Sequence, residues 1–462
     1  MRRTVVLDVV GLTPALLEHA PALRGLAARG AMRPLRPVLP AVTCSAQSSF
    51  VTGLPPSGHG AVGNGWYCRD LAEIMFWRQS DALVQGEKLW EIAKRRDPDF
   101  TCAKLFWWYN MYGAVDWAVT PRPMYPADGR KIPDLHTRPA DLRDELQNRL
   151  GRFPLFHFWG PMADILSSRW IGKAALQVLA TRRPTLTLVY LPHLDYDLQR
   201  LGPDDPRIPR AVAEIDAVCA EIVEHAEAGG ARVVALSEYG VTGVSGAVFP
   251  NRALRRAGLL AVRDEMGRQA LDAGESEAFA VCDHQVAHVH VRNPARLPEV
   301  AALLSELDGV ERVLDAEGKR AEGLDHPRAG DLVAISRASR WFAYYHWLDD
   351  RRAPDYARTV DIHRKPGYDP AELFIDPALR LPKLRIASRL LGKTLGFRAL
   401  MDVIPLDASL VRGSHGRRPD TPAEGPLIIS SEPDLLPEGS VDATQVRDIL
   451  LAHVFDLQPA RA

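Results

Sequence analysis

Residues 39–64 read LPAVTCSAQSSFVTGLPPSGHGAVGN and are interpreted as a loop, a short helix and a second loop. Pro40 ends an extended segment, because proline disfavours further strand pairing. A helix is predicted from about Ser45 to Thr52, ending at Gly53. Thr43 then lies at or just before a helix start, where free N–H groups and a partial positive charge favour a phosphate or a developing alkoxide. The alternative is that Thr43 only caps the helix.

Apolar runs on both sides of this stretch predict the strands of a sheet. Residues 4–9, 185–191 and 231–236 are rich in β-branched and aliphatic side chains, and predicted helices alternate with them. Such runs are typical of strands buried on both faces. The sequence therefore predicts an α/β fold with a mostly parallel sheet. Asp8 lies near the end of the first run, at the edge where ligands bind in such sheets, although it could instead cap a helix over 13–29.

Composition excludes several classes of protein. The chain has 462 residues, a net charge of −1 and no basic block, so it offers no nucleic-acid platform. No apolar run approaches the roughly 18 residues of a membrane span, and the N-terminal apolar run is too short for a signal peptide. The odd number of scattered cysteines favours a reducing compartment, and we expect a cytoplasmic protein. These cysteines are Cys44, Cys68, Cys102, Cys219 and Cys282.

Four motifs resemble those of one enzyme family. The first is Thr43 with Thr52-Gly53, His59-Gly60 and Asn64; the others are Asp195 before Gly202-Pro203, Ser-Glu-Tyr-Gly at 237–240, and Gly-Ser-His-Gly at 413–416. Together they resemble the type I nucleotide pyrophosphatase/phosphodiesterase branch of the alkaline phosphatase superfamily. The resemblance implies a three-layer sandwich around a mostly parallel central sheet, with an inserted small α+β subdomain and aromatic-rich cap loops.

The resemblance also implies a site. Thr43 would be the nucleophile, and two divalent metal ions, zinc by family, would bind to Asp8, Thr43, Asp195, Glu238 and His415. This chain departs from the pattern, because Gln199, Glu238 and Tyr239 stand where the family has His, Asp and His. A set richer in oxygen ligands favours manganese, magnesium or calcium over zinc. Gln199, Tyr239 and His363 are candidate replacement ligands, with Asp283-His284 a further alternative, and Asn64 and Arg417 are expected to bind substrate.

The expected organisation is a single elaborated domain over residues 1–462. Its core comprises about 1–105, 185–275 and 405–462; a cap insertion covers about 106–160, and the α+β insert about 277–340. Residues 380–401 form a basic, partly amphipathic helix, read either as a solvated surface helix or as a contact for a membrane or an anionic substrate. The sequence carries no signal for an oligomeric state.

Two functions follow as expectations. The first is a metal-dependent hydrolase of small phosphoric esters, of phosphodiesterase or pyrophosphatase type, that forms a covalent phospho-threonine. The second is a degenerate family member that binds a phosphorylated ligand or a partner without turnover. The three substituted ligand positions motivate the second.

Overall fold

The structure, a computed structural model, describes residues 1–457. The last five residues of the predicted core segment 405–462 lie outside this range. The strands, in chain order, are β1 (Thr4–Val9), β2 (Ala31–Arg36), β3 (Gly65–Cys68), β4 (Glu73–Phe76), β5 (Cys102–Leu105), β6 (Trp117–Pro121), β7 (Leu135–Arg138), β8 (Leu186–Leu191), β9 (Arg232–Leu236), β10 (Thr242–Gly243), β11 (Gly246–Val248), β12 (Val262–Glu265), β13 (Arg268–Leu271), β14 (Ala278–Asp283), β15 (Val286–Val291), β16 (Val310–Leu314), β17 (Leu332–Ser336), β18 (Arg340–Phe342), β19 (Gly413–Ser414), β20 (Leu427–Ser430) and β21 (Val441–Asp442).

The helices surround these strands. They are α1 (Pro21–Arg29), α2 (Thr43–Thr52), α3 (Pro56–His59), α4 (Leu89–Arg96), α5 (Leu142–Leu150), α6 (Ile165–Arg182), α7 (His193–Leu201), α8 (Ile208–Ala228), α9 (Pro250–Arg256), α10 (Leu297–Ser305), α11 (Ala316–Ala321), α12 (Pro382–Thr394) and α13 (Val446–Phe455). Within residues 1–457, none of them combines the length and the apolar character that crossing a membrane requires.

A nine-stranded sheet forms the centre, in the order β21-β2-β20-β9-β1-β8-β5-β6-β7. Only β20 and β7 run antiparallel to the others. Helices α1, α6 and α8 pack on one face, and α2, α4 and α13 on the other. Side chains of β1 alternate between the two faces, with Leu7 in one core and Val6 in the other, as the period of a strand requires. The predicted three-layer α/β sandwich is confirmed.

The strand order brings three acidic residues to one edge of the sheet. β1 lies between β8 and β9, and all three strands are parallel, so their carboxyl ends meet. Asp8 is the penultimate residue of β1, Asp195 follows β8 at the start of α7, and Glu238 follows β9. All three side chains are buried.

The predicted cap insertion at 106–160 is partly wrong. β6 and β7 from this segment extend the central sheet, and α5 packs against it, so these residues belong to the core. The dense aromatic and proline content of this segment hid two short strands; Pro121 is the last residue of β6, where it interrupts little of the pairing. The extended segment predicted to end at Pro40 also leaves the sheet earlier, since β2 covers Ala31–Arg36.

The small α+β insert is confirmed. β14, β15, β17 and β16 form a separate antiparallel sheet, with α10 packed on β16 and β17. Its core is continuous with buried aromatic residues of the following segment, including Trp341, Tyr344 and Trp347. The loop from β14 to β15 carries His284 next to the edge of the central sheet where the three acids meet.

Candidate active site

Thr43 is the first residue of α2, and its hydroxyl faces the acids rather than the helix backbone. The residue before the helix is Val42, in an extended conformation and without a side-chain cap. The Thr43 hydroxyl donates a hydrogen bond to Glu238 Oε2 at 2.7 Å and lies 3.3 Å from the Tyr239 hydroxyl. The structure therefore does not support a role for Thr43 as a simple helix cap.

Gln47 connects Thr43's helix to two of the acids. It lies one helical turn after Thr43, on the same face. Its Nε2 donates to Asp8 Oδ2 at 3.0 Å and to Glu238 Oε1 at 2.6 Å. The Trp108 backbone N–H donates to Gln47 Oε1 at 2.7 Å, which fixes the direction of the amide. Sequence reasoning missed Gln47; the signal that was available is its spacing of four residues from Thr43.

Asp195 has a second glutamine as its partner. Gln199 Nε2 donates to Asp195 Oδ2 at 2.7 Å, and the Tyr368 hydroxyl donates to Gln199 Oε1 at 2.8 Å. His415 Nδ1 bonds to the carbonyl oxygen of Ala41 at 2.8 Å, and its Nε2 lies 3.9 Å from Asp195 Oδ1. Within residues 1–457, that Nε2 and Asp8 Oδ1 are buried atoms without a hydrogen-bond partner.

Four stacked aromatic rings, here called the ring column, lie beside Asp195. The rings of Tyr239 and His415 are 3.5 Å apart and nearly parallel. His284 follows at 3.8 Å from His415, and Tyr368 at 3.6 Å from His284. Sequence motifs assigned these rings to separate segments, and only the fold brings them together. The ring column closes this part of the site, and each of its members is at most 4% exposed.

Asn64 and Asp283 support the start of α2. Asn64 Oδ1 accepts from the Cys44 backbone N–H at 3.0 Å. The backbone N–H and Nδ2 of Asn64 donate to the Asp283 carboxylate at 2.7 and 3.1 Å, and Asp283 Oδ1 is 2.7 Å from His284 Nδ1. Asn64 thus holds the residue after Thr43 in place, and its amide is already engaged.

Two other predicted site residues have partners elsewhere. Arg417 binds Asp420 and Glu311 at 2.8 and 3.0 Å, so its charge is already compensated. His363 Nδ1 bonds to the carbonyl oxygen of Phe76 at 3.2 Å. Neither makes a hydrogen bond to the acids around Thr43 in the described part of the chain. These partners therefore do not support Arg417 as a substrate contact or His363 as a metal ligand.

Burial controls the charge of the acids. It raises the pKa of Glu238 to about 7, of Asp195 to about 7 and of Asp283 to about 6. Burial also raises the pKa of Asp8, and the neighbouring charge of Glu238 raises it further. No arginine or lysine in residues 1–457 forms an ion pair with these four acids. Amide and hydroxyl donors, rather than cationic side chains, therefore stabilise these acids in the described part of the chain.

The residues present do not fit the pair of metal ions that the resemblance implies. The space between Asp8 and Glu238 is bridged by the NH₂ group of Gln47, a donor that cannot coordinate a cation. Burial raises the pKa of Tyr239 far above its usual range, so its phenol keeps its proton and is a poor ligand. Asp195 and His415 keep a ligand-like arrangement, but residues 1–457 contain no group of three or more His, Cys, Asp or Glu placed to hold a metal ion.

Replacing Gln47 by glutamate is expected to create a metal site that the wild type lacks. In Gln47→Glu, one carboxylate oxygen still accepts from Trp108, and the other joins Asp8 and Glu238 to give three acidic ligands. Isothermal titration of metal-stripped protein with Mn²⁺ should then show one more bound ion than in wild type, and Mn²⁺ should raise the melting temperature of the variant. Gln47→Ala is the control without a ligand. Tight binding of two ions by the wild type would contradict this account.

Comparisons with known proteins agree with the fold. The family model described as type I phosphodiesterase / nucleotide pyrophosphatase matches residues 4–369. Phosphonoacetate hydrolase from Sinorhizobium meliloti 1021, in complex with phosphonoformate, aligns with a TM-score of 0.62 at 15% identity, covering 98% of this chain and 96% of that one. Murine ectonucleotide pyrophosphatase / phosphodiesterase 5, as an inactive variant with AMP, aligns with a TM-score of 0.59 at 13% identity, covering 100% and 96%. A search of curated proteins found no match. At these identities the two structures establish the fold alone.

Proposed function

The chain belongs to the type I phosphodiesterase / nucleotide pyrophosphatase family, whose members are phosphoester hydrolases, and from this premise we propose that it hydrolyses a small phosphoric ester with Thr43 as the nucleophile. The observation that carries the proposal is the 2.7 Å hydrogen bond from the Thr43 hydroxyl to Glu238 Oε2. A hydroxyl paired with a carboxylate is an activated nucleophile, because the carboxylate can accept its proton during attack.

The proposed reaction has two balanced halves. In the first, Thr43 Oγ1 bonds to phosphorus as its proton passes to Glu238; the ester P–O bond breaks, and the leaving oxygen takes that proton. In the second, water attacks the phospho-threonine and gives a proton to Glu238, and the Thr43 oxygen leaves and recovers it. The net result is an alcohol and a phosphate, with Thr43 and Glu238 restored. The position of Thr43 at the start of α2 places it in the positive end of the helix dipole.

The substrate class follows by analogy from the structural neighbours. One neighbour binds phosphonoformate and another binds AMP, and both are small molecules that carry an anionic phosphorus group. We extend this class to the present chain, without choosing between a diester, a monoester and a phosphonate. We also place the protein in the cytoplasm, a proposal with which five free cysteines are consistent.

We leave the dependence of the reaction on zinc or another divalent ion to be tested, by varying the metal in the hydrolysis assays. The resemblance implies two divalent ions, whereas the Gln47 amide bridges two of the carboxylates that would bind one of them. Each step above is therefore assigned to the chain's own residues.

A second candidate is binding of a phosphorylated ligand without turnover. Two observations favour it: the Gln47 amide bridges Asp8 and Glu238, and the Tyr239 phenol keeps its proton, so part of the metal shell implied by the resemblance is lost. For either candidate, Thr43 is only 3% exposed and the ring column closes the adjacent part of the site. A substrate can reach Thr43 only after side chains around it move.

Hydrolysis assays on metal-stripped protein separate the two candidates. Bis-p-nitrophenyl phosphate and p-nitrophenyl phosphate are offered without metal and with Mn²⁺, Zn²⁺ or Mg²⁺, to wild type and to Glu238→Gln, which keeps the shape of the side chain. Turnover that falls about 10²-fold or more in Glu238→Gln supports the proposal. No turnover together with calorimetric binding of AMP would assign the binding function. Full activity of Glu238→Gln would refute the role of Glu238 as base.

A further inference from the structure

Helix α12 presents an apolar stripe to solvent. Leu384, Leu391 and Leu395 recur at intervals of seven and four residues, so they lie on one face of α12 and its C-terminal end. They are 63%, 60% and 66% exposed, and the nearby Phe397 is 68% exposed. No residue of α12 is buried. A surface helix normally turns its apolar face towards the core, so α12 has the opposite orientation.

The residues around this stripe are basic. Residues 380–401 contain six arginines and lysines and no acidic residue. Arg385 and Arg389 pair with Asp402, which anchors the helix on the side away from the stripe. No salt bridge in residues 1–457 involves Lys383 or Lys393. Lys383 flanks the leucine stripe, whereas Lys393 lies on the opposite side of the helix. The segment therefore combines a stripe of exposed leucines with a net positive charge distributed around the helix.

We infer that α12 and the following residues to Leu400 bind the surface of an anionic membrane, with the leucine stripe inserted at the boundary between headgroups and acyl chains. A helix with an apolar face and flanking cations is suited to this interface, where leucines leave water and cations meet anionic headgroups. The protein would attach peripherally, since no helix of residues 1–457 can cross the bilayer.

Charge argues against a second copy of this chain as the occupant. Two such segments brought together would repel each other, because each carries six basic residues of which, within residues 1–457, only Arg385 and Arg389 have an acidic partner, Asp402. An anionic lipid surface accommodates both features, because the leucines can contact acyl chains while the cations contact anionic headgroups. This inference does not depend on the reaction proposed for Thr43.

Vesicle sedimentation tests the inference directly. The full chain is mixed with vesicles of phosphatidylcholine containing phosphatidylglycerol, and with vesicles of phosphatidylcholine alone. We expect binding to the anionic vesicles only, weakened by added salt. The triple variant Leu384→Gln/Leu391→Gln/Leu395→Gln should bind at least about tenfold more weakly. Lys383→Glu/Lys393→Glu should bind about tenfold more weakly, because each basic residue near the surface contributes to attraction.

The matched control is Leu71→Gln, which removes a leucine that is 60% exposed in the turn between β3 and β4. It should bind vesicles as wild type does. Thermal unfolding should be unchanged in every variant, because none of the replaced side chains is buried. Three outcomes would overturn the inference: no binding to anionic vesicles, equal binding of wild type and the triple leucine variant, or a lipid-free dimer that only the triple variant abolishes.

Discussion

Thr43→Ala is expected to lower phosphoester hydrolysis by about 10³-fold or more, because it removes the atom that attacks phosphorus. The variant also leaves Glu238 without the hydroxyl that now lies 2.7 Å from its Oε2. Rates are measured under the conditions in which the wild type is most active. Incubation with substrate followed by acid quenching should give wild-type peptide carrying a phosphoryl group on Thr43, detected by mass spectrometry, and no such peptide from the variant.

Thr43→Ser is the matched control for this result. Serine keeps the hydroxyl that reaches Glu238 and removes only a methyl group, so we expect it to retain most of the activity lost in Thr43→Ala. Thermal unfolding of both variants separates a catalytic loss from a folding defect. Wild-type rates in Thr43→Ala would rule out Thr43 as the nucleophile and leave the binding function as the better account.

Lys365→Met is expected to lower the free energy of unfolding by about 3–5 kcal/mol, because it leaves two buried carboxylates without their cation. The Lys365 ammonium is 1% exposed and lies 2.7 Å from both Asp369 and Glu372. The segment between Lys365 and Asp369 carries Tyr368, whose hydroxyl donates to Gln199 and whose ring ends the ring column. Urea unfolding measures the effect on stability. We also expect the contacts of Tyr368 with Gln199 and His284 to weaken in the variant.

The control for this prediction is Lys383→Met, the same substitution at an exposed lysine, which should change stability by no more than about 0.5 kcal/mol. The pH dependence gives a second check. Burial raises the pKa of Asp369, and without the ammonium this carboxyl binds a proton on folding. A carboxyl whose pKa is higher in the folded state stabilises that state more at low pH. The cost of Lys365→Met should therefore be smaller at about pH 5 than at about pH 8, and equal costs of the two substitutions would contradict the account.

The sequence was sufficient to predict the class of fold and the centre of the site. The runs at 4–9, 185–191 and 231–236 predicted buried parallel strands, because burial on both faces demands a continuous apolar pattern that is local in sequence. Thr43, Asp8, Asp195 and Glu238 were selected because they lie in segments that resemble the motifs of the family, at the ends of these elements. Strands β6 and β7 could not be predicted from the sequence, since their proline-rich surroundings resemble a loop and only pairing within the sheet identifies them.

What surrounds these residues was decided by the tertiary structure alone. Trp108 is 61 positions from Gln47, and Tyr368 is 169 positions from Gln199. Such pairs form when strand order and the insert bring distant segments to one edge of the sheet, and no local pattern encodes that proximity. The sequence by itself determined the strand ends and the helix start on which Thr43 and the acids lie, because these are local features. Only the tertiary structure decided that two glutamine amides meet those acids, because a hydrogen bond depends on where both partners lie in space.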